Sequence, residues 1–231
     1  MGYIRQVRRI FWFMTPEQEN QQLRTLLTEA KGLAVVVSPT SGRDGLLAGL
    51  ALSETFKEQG KSVSIVYSGE ISDDIKNLPE AKDIKQLLGD NSLVVSVNTG
   101  GMPITEASYY REGVTYNFVF NPIGRNFDLS TVKMSTRAQK LDLIITIGVK
   151  TLDDLGQLFI NNKSEFEKTA ILNFDNHNEN SHFGTLDAID ERATSLSEML
   201  FFKLANWGFR PSVRASYLLS LGLATSRGLS K

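Results

Sequence analysis

Short apolar runs alternate with amphipathic stretches along most of this chain, and the alternation predicts strands and helices in turn. The first clear signal is Thr15-Pro16-Glu17-Gln18: a capping threonine, a proline at the first helical position, and a glutamine placed to close a capping box. Leu23, Leu26 and Leu27 follow at helical spacing, and Gly32 marks a stop. Residues 33–38 form a continuous apolar run, the kind that is buried on both faces of a parallel sheet. A loop over 39–44 then leads into a helix with Leu46, Leu47, Leu50 and Ala51 inward. Gly60 ends it, and residues 62–67 read as the next strand. This strand–helix–strand unit is the first firm element of an α/β fold.

The pattern continues with a helix predicted over 81–88 and a buried strand over 92–98. Between 104 and 120 it changes: two β-rich runs flank Glu112-Gly113, which reads as a hairpin. Residues 141–147 return to the buried-strand type, followed by a helix from about Thr151 and a further strand over 169–174. Closing helices are expected near 194–206 and 212–223. No repeat, low-complexity tract or linker interrupts the chain. The expected fold class is α/β, a doubly wound and mostly parallel sheet with flanking helices and a β-hairpin insertion.

Composition narrows the chemistry. The 231 residues include no cysteine, which excludes thiol catalysis, Cys-ligated zinc, iron–sulfur clusters and disulfides, and suits a cytoplasmic location. With 25 basic and 26 acidic residues, there is no global pull towards nucleic acid or anionic membrane. No apolar run approaches the roughly 18 residues of a spanning helix. Residues 1–14 mix Arg5, Arg8 and Arg9 with Phe11, Trp12 and Phe13. They fit a packed or dangling arm better than a surface-seeking amphipathic segment.

In open parallel sheets, ligands bind beyond the carboxyl ends of the strands, where loops and helix N-termini converge. The segments to watch are therefore 38–44, 98–101, 148–150 and 175–182. The first carries Gly42, with Gly45 and Gly49 in the helix that follows, but is neither a Walker loop nor a dinucleotide fingerprint. Its helix N-terminus is placed to hold a phosphate; the plainer alternative is a tight turn with Asp44 capping its helix. The last segment holds both histidines of the chain, His177 and His182, beside Asp175, Asn176, Glu179 and Asn180. Imidazole and carboxylate together suit a metal or a proton transfer, against the alternative of a self-satisfied polar turn.

These residues, a strand followed by Asp175-Asn176-His177 and then Phe183-Gly184, resemble the Asp-His-His motif of the DHH phosphoesterases, most of all the oligoribonuclease and pAp-phosphatase subgroup. Residues 36–52 resemble the family's first motif, a strand then His-x-x-x-Asp-x-Asp opening a helix. Residues 141–148 resemble the strand that ends in a bridging Asp, 193–198 the next helix start, and 215–225 the leucine-rich helix before a last acidic ligand. The resemblance runs from about Leu33 to the C-terminus.

Members of that family hold two Mn²⁺ ions that activate water and clamp a phosphoryl group. Carried over position by position, the motif-one His falls at Ser38, its first Asp at Gly42, the bridging Asp at Gly148, the first His of Asp-His-His at Asn176, and the final Asp near Ser226. Asp44, Asp175 and His177 are kept. The resemblance thus implies a degenerate metal site, with Asp44, Asp175 and His177 left for at most one weak cation. No cofactor is expected, Mn²⁺ entering only with residual activity. Without cations, clustered carboxylates repel, and their replacement by neutral residues, with Arg43 and Lys150 on the same rim, points to a metal-free phosphate or nucleotide site using Arg43, Asp44, Asn176, His177 and Asn180.

The expected partners are a nucleotide or short oligonucleotide, with Trp12, Tyr109 and Tyr110 available for stacking, although core packing is the more common fate of such aromatics. A homo-oligomer is a further possibility. The family's enzymes also carry a DHHA1-type substrate domain, and this chain ends close after the last DHH-domain motif. The expected organisation is an arm over 1–14 and a DHH-like domain over 15–231, without a DHHA1-type domain. The expected function is non-catalytic nucleotide, phosphate or partner binding. The alternatives are a residual phosphodiesterase or phosphatase acting on short oligoribonucleotides or pAp, and a structural assembly module.

Overall fold

A computed structural model describes residues 15–88, 92–101, 103–122, 128–137 and 140–226. The N-terminal arm expected over 1–14 lies outside them. Contacts divide the chain into two compact units: Met1–Gly89 with Lys140–Lys231, and Asp90–Gln139. The sequence pattern alone reads as one continuous domain with a hairpin inserted.

The first unit is built on a six-stranded sheet. Its strands are β1 (Gly32–Val37), β2 (Ser62–Tyr67), β3 (Ile84–Lys85), β8 (Leu143–Ile147), β9 (Ala170–Asp175) and β10 (Leu186–Ile189). All neighbouring pairs are parallel, in the order β10-β9-β8-β1-β2-β3. The chain runs outward from β1 through β2 to β3, then returns to β8 on the other side of β1. The switch point of a doubly wound sheet therefore lies between β1 and β8, where Ser38 N donates to Ile147 O at 2.9 Å.

Every residue of β1 and β8 is buried, as runs apolar at all positions but Thr146 predict. Leu33, Val35 and Val37 enter the larger core with Ile145 and Ile147, while Ala34, Val36 and Ile144 enter the smaller one. That alternation is the period of two along a strand covered on both faces. The larger core receives α1 (Pro16–Glu29), α2 (Gly42–Lys57), α5 (Leu196–Asn206) and α6 (Val213–Ser226). The smaller receives α4 (Gln157–Lys168) through Leu158 and Phe166. Each fully buried leucine, such as Leu27, Leu47 or Leu200, contributes on the order of 2 kcal/mol by leaving water.

Local chemistry sets the element ends. Thr15 N donates to Gln18 Oε1 and Gln18 N to Thr15 Oγ1, closing the predicted capping box on α1. The Asp142 carboxylate accepts from Lys31 N and Gly32 N at 3.0 and 2.9 Å, which ties the start of β1 to the chain entering β8. Those two amides also hold its carboxyl below the usual aspartate range.

Two predicted elements come out differently. Residues 81–88 do not form a helix: Pro79–Asp83 is a 3-10 turn, and Ile84 and Lys85 pair with Ile65 and Val66 as an edge strand. Backbone pairing on the open edge of β2 outweighs the helical pattern, and of its two leucines Leu88 is buried while Leu87 is exposed. The run at 92–98 is not part of the parallel sheet. It forms β4 (Ser92–Val97), antiparallel to β7 (Val132–Arg137) in the second unit, with Leu93 and Val95 exposed. The expected hairpin is present as β5 (Ile104–Glu112) and β6 (Thr115–Pro122).

One ion pair in the first unit ties α6 to the 3-10 turn. Arg214 reaches buried Glu80 with two nitrogens, Nη2 donating to Oε2 at 2.7 Å and Nε to Oε1. That hydrogen bonding holds the Glu80 carboxyl below the usual glutamate range. A depressed folded pKa adds stability that is complete above the unfolded glutamate pKa and lost as pH falls through the folded value. Urea midpoints taken from neutral pH down through that window are expected to fall in the wild type. The decline is expected to be shallower in Arg214→Met, which starts less stable at neutral pH.

Candidate functional site

At the carboxyl end of β9, the strand delivers a carboxylate into the protein rather than onto its surface. Asp175 is fully buried, and both of its oxygens are used. His177 Nδ1 lies 2.6 Å from Oδ1, and Asn180 Nδ2 donates to Oδ2 at 2.6 Å. A carboxylate on Nδ1 fixes the ring's orientation and leaves Nε2 as the free nitrogen of a half-exposed imidazole. Asn180 is buried as well; it also donates to Val149 O at 2.9 Å, and its Oδ1 accepts from Asn173 Nδ2 at 2.8 Å.

That contact opens onto a buried polar chain the sequence reading passed over. Thr146 on β8 and Asn173 on β9 are register partners, and Thr146 Oγ1 donates to Asn173 Oδ1 at 3.1 Å. Asn173 Nδ2 also reaches Asp187 Oδ1, which accepts from Gly184 N. Thr146 inside Ile-Ile-Thr-Ile and Asn173 inside Ile-Leu-Asn-Phe were the available signals: polar residues in runs otherwise apolar. Left unpaired there, each would cost about 1–3 kcal/mol, so the chain of bonds fixes the loop that carries His177.

The other proposed site residues go elsewhere. Asp44, in the first turn of α2, receives Leu196 N at 2.7 Å, Ser197 N at 3.2 Å and Ser195 Oγ at 3.2 Å. It caps α5, not its own helix. Asn176 Nδ2 donates to Ala193 O at 2.8 Å, so Asp44 and Asn176 both grip the segment entering α5. Arg43 is engaged too: Nε donates to Asp74 Oδ2 at 2.8 Å, and Nη1 donates to Thr225 Oγ1 on α6. Its guanidinium joins α2 to α6 and to the short helix α3 (Asp73–Lys76). Of the five residues expected to hold phosphate, His177 and Asn180 share Asp175, while Arg43, Asp44 and Asn176 serve other contacts. Residues 98–101 belong to the second unit and follow β4, which is not a strand of the parallel sheet.

The same geometry tests the implied Mn²⁺ pair. Gly148, where the resemblance places the bridging acid, has φ +66°. A Cβ there would stand 2.5 Å from Ser41 Cβ and 3.1 Å from Leu196 Cδ1. The space between the ends of β1 and β8 is packed by Ser41 and Leu196. Asp44 has both oxygens on the α5 N-terminus, and among the described residues no three His, Cys, Asp or Glu side chains group as cation ligands. The residues present do not fit a pair of metal ions.

Position 42 remains open. Gly42, with φ +62°, is exposed and has nothing near its Cβ direction, and Ser41 makes no side-chain cap to α2. The first amides of that helix thus stand at the switch point without a side-chain cap. Lys150, on the loop after β8, pairs with Glu179 at 3.4 Å on the surface. Among the described residues, no helix is long and apolar enough to cross a membrane.

No family model matches the chain. Among solved structures it is similar to an exopolyphosphatase-related protein from Bacteroides fragilis, with a TM-score of 0.63 and 13% identity over 93% of this chain and 52% of that one. The chain therefore spans about half the length of that protein. The likeness establishes the fold: an α/β domain with a mostly parallel sheet and flanking helices, shared with an exopolyphosphatase-related protein.

Proposed function

We propose that this chain is a phosphoesterase-like domain of the DHH type, in the oligoribonuclease and pAp-phosphatase subgroup, that binds a nucleotide or other phosphate-bearing ligand without hydrolysing it. The observation that carries the proposal is the fate of Asp44. A carboxylate that accepts two backbone amides and a hydroxyl at the start of α5 is held by protein donors on both oxygens rather than offered to a cation. Gly148 supports the same reading, because its neighbours leave no room for the acid that would bridge two ions.

Binding rests on different features. The uncapped start of α2 offers amides and the positive end of a helix dipole, which suit an anion at a switch point. Nε2 of His177, the ring nitrogen not engaged by Asp175, supplies a further polar contact. The exopolyphosphatase-related neighbour supports phosphate as the ligand class.

The experiment is a thermal-shift titration with pAp and with inorganic phosphate, run in chelator and again in excess Mn²⁺, alongside a hydrolysis assay. A ligand at a hundredfold excess over Kd adds about 2.7 kcal/mol to the native state. A rise in midpoint that persists in chelator, absent from His177→Ala and without Mn²⁺-dependent turnover, is the expected result. Turnover that appears with Mn²⁺ would overturn the proposal in favour of a residual hydrolase.

A further inference from the structure

Strands β5 and β6 form a two-stranded sheet, and among the described residues neither pairs with a third strand. Two strands alone are marginally stable in water, and an open edge is a template for another chain. The two edges differ. β5 carries Glu106, Arg111 and Glu112, and its pairing with β6 is irregular between Ile104 and Glu106, devices that discourage further pairing. β6 has neither protection over Thr115-Tyr116-Asn117-Phe118-Val119-Phe120-Asn121, which holds no charge and no proline.

Its aromatic residues share one face. Tyr116, Phe118 and Phe120 alternate along β6, and Tyr109 and Arg111 lie opposite them on β5. The Tyr109 and Phe118 rings are 6.2 Å apart, and the Arg111 guanidinium sits 5.7 Å from the centre of Tyr116. Tyr109 and Phe118 are 70% and 61% exposed, far more than aromatic side chains that serve a core.

The aromatic positions of β6 are symmetric about Phe118, with Tyr116 mirroring Phe120, and the positions between and beyond them are uncharged. We propose that two copies of this chain pair β6 with β6, antiparallel across a twofold axis at Phe118, to make a four-stranded sheet. Paired about that axis, two copies continue one aromatic face across both strands. The register puts Phe118 beside its counterpart and Tyr116 beside Phe120, and it brings no like charges together. An unrelated extended peptide would gain the backbone bonds but not the continuous aromatic face. This surface shares no residue with the phosphate site proposed above, and it stands or falls independently of that reading.

The absence of cysteine makes the test direct, because any introduced thiol is the sole one in the chain. Light scattering on the full chain should give twice the 25.7 kDa monomer mass as concentration rises towards about 100 μM. In the paired sheet, two 118 side chains lie about 5 Å apart, whereas two 109 side chains, one strand further out on each copy, lie about 14 Å apart. On mild oxidation, F118C should therefore form at least tenfold more disulfide dimer than Y109C. V119K, which places a cation beside the axis, should be monomeric, with a melting midpoint that no longer rises with protein concentration, while Y110K on β5 should stay dimeric. A monomer throughout the concentration range, or equal cross-linking of F118C and Y109C, would overturn the proposal. The cross-linking comparison stands even if V119K fails to fold.

Discussion

Replacing Asp44 by alanine is expected to lower the unfolding free energy by about 3 kcal/mol, and replacing it by asparagine by about 1–1.5 kcal/mol. The carboxylate accepts Leu196 N at 2.7 Å, Ser197 N at 3.2 Å and Ser195 Oγ at 3.2 Å. Alanine strands those donors at the first turn of α5, in a half-buried position, and removes a negative charge from the positive end of the helix. Asparagine keeps one acceptor oxygen but loses the charge. Urea denaturation in chelator checks this, with an unchanged slope and a lower midpoint as the expected outcome. The sign is decisive. An acid waiting for a cation is repelled by its neighbours when the metal is removed, so truncating it would stabilise the metal-free protein. An acid that caps a helix does the opposite. A midpoint that rose in Asp44→Ala would therefore return Asp44 to the role of metal ligand.

The same residue shows where a sequence can be read and where it cannot. An aspartate at the start of a helical pattern reads as a cap for that helix, and chemically it is a cap. The helix it caps begins more than 150 residues later, and nothing local to Asp44 points there. The strands divide in the same way. Residues 33–37 are apolar at every position and 143–147 at all but Thr146, a pattern that suits a doubly covered parallel strand, so their place in the sheet was legible. The run at 92–97 looks much the same on paper, yet β4 pairs with β7 and leaves Leu93 exposed, because partner choice depends on the whole chain. For the site, the nearness of Asp175 and His177, two residues apart at a strand's end, was legible. The burial of that carboxylate, and the Thr146–Asn173 link that holds its neighbour Asn180, required two strands to be set in register.

Gly148→Asp is expected to destabilise the chain by about 4 kcal/mol, and Gly148→Ala by about 2–3 kcal/mol. Two costs add. The residue sits at φ +66°, where an L side chain is strained by roughly 1 kcal/mol. Its Cβ would then stand 2.5 Å from Ser41 Cβ, an atom one bond from the backbone that cannot swing aside. Ser41 is further held by its hydroxyl, which donates to Ser38 O at 2.7 Å at the end of β1. Moving Ser41 would disturb the start of α2, and moving Leu196 would open the core beneath α5. The aspartate adds a carboxylate placed against the Leu196 side chain, without a partner. Restoring an acid at this position is therefore expected to lower the melting midpoint without creating a response to Mn²⁺, and a midpoint recorded with and without the ion measures both. If Gly148→Asp instead gained stability in Mn²⁺, the packing of Ser41 and Leu196 would have to be yielding, and a cation site would be within one substitution of this fold.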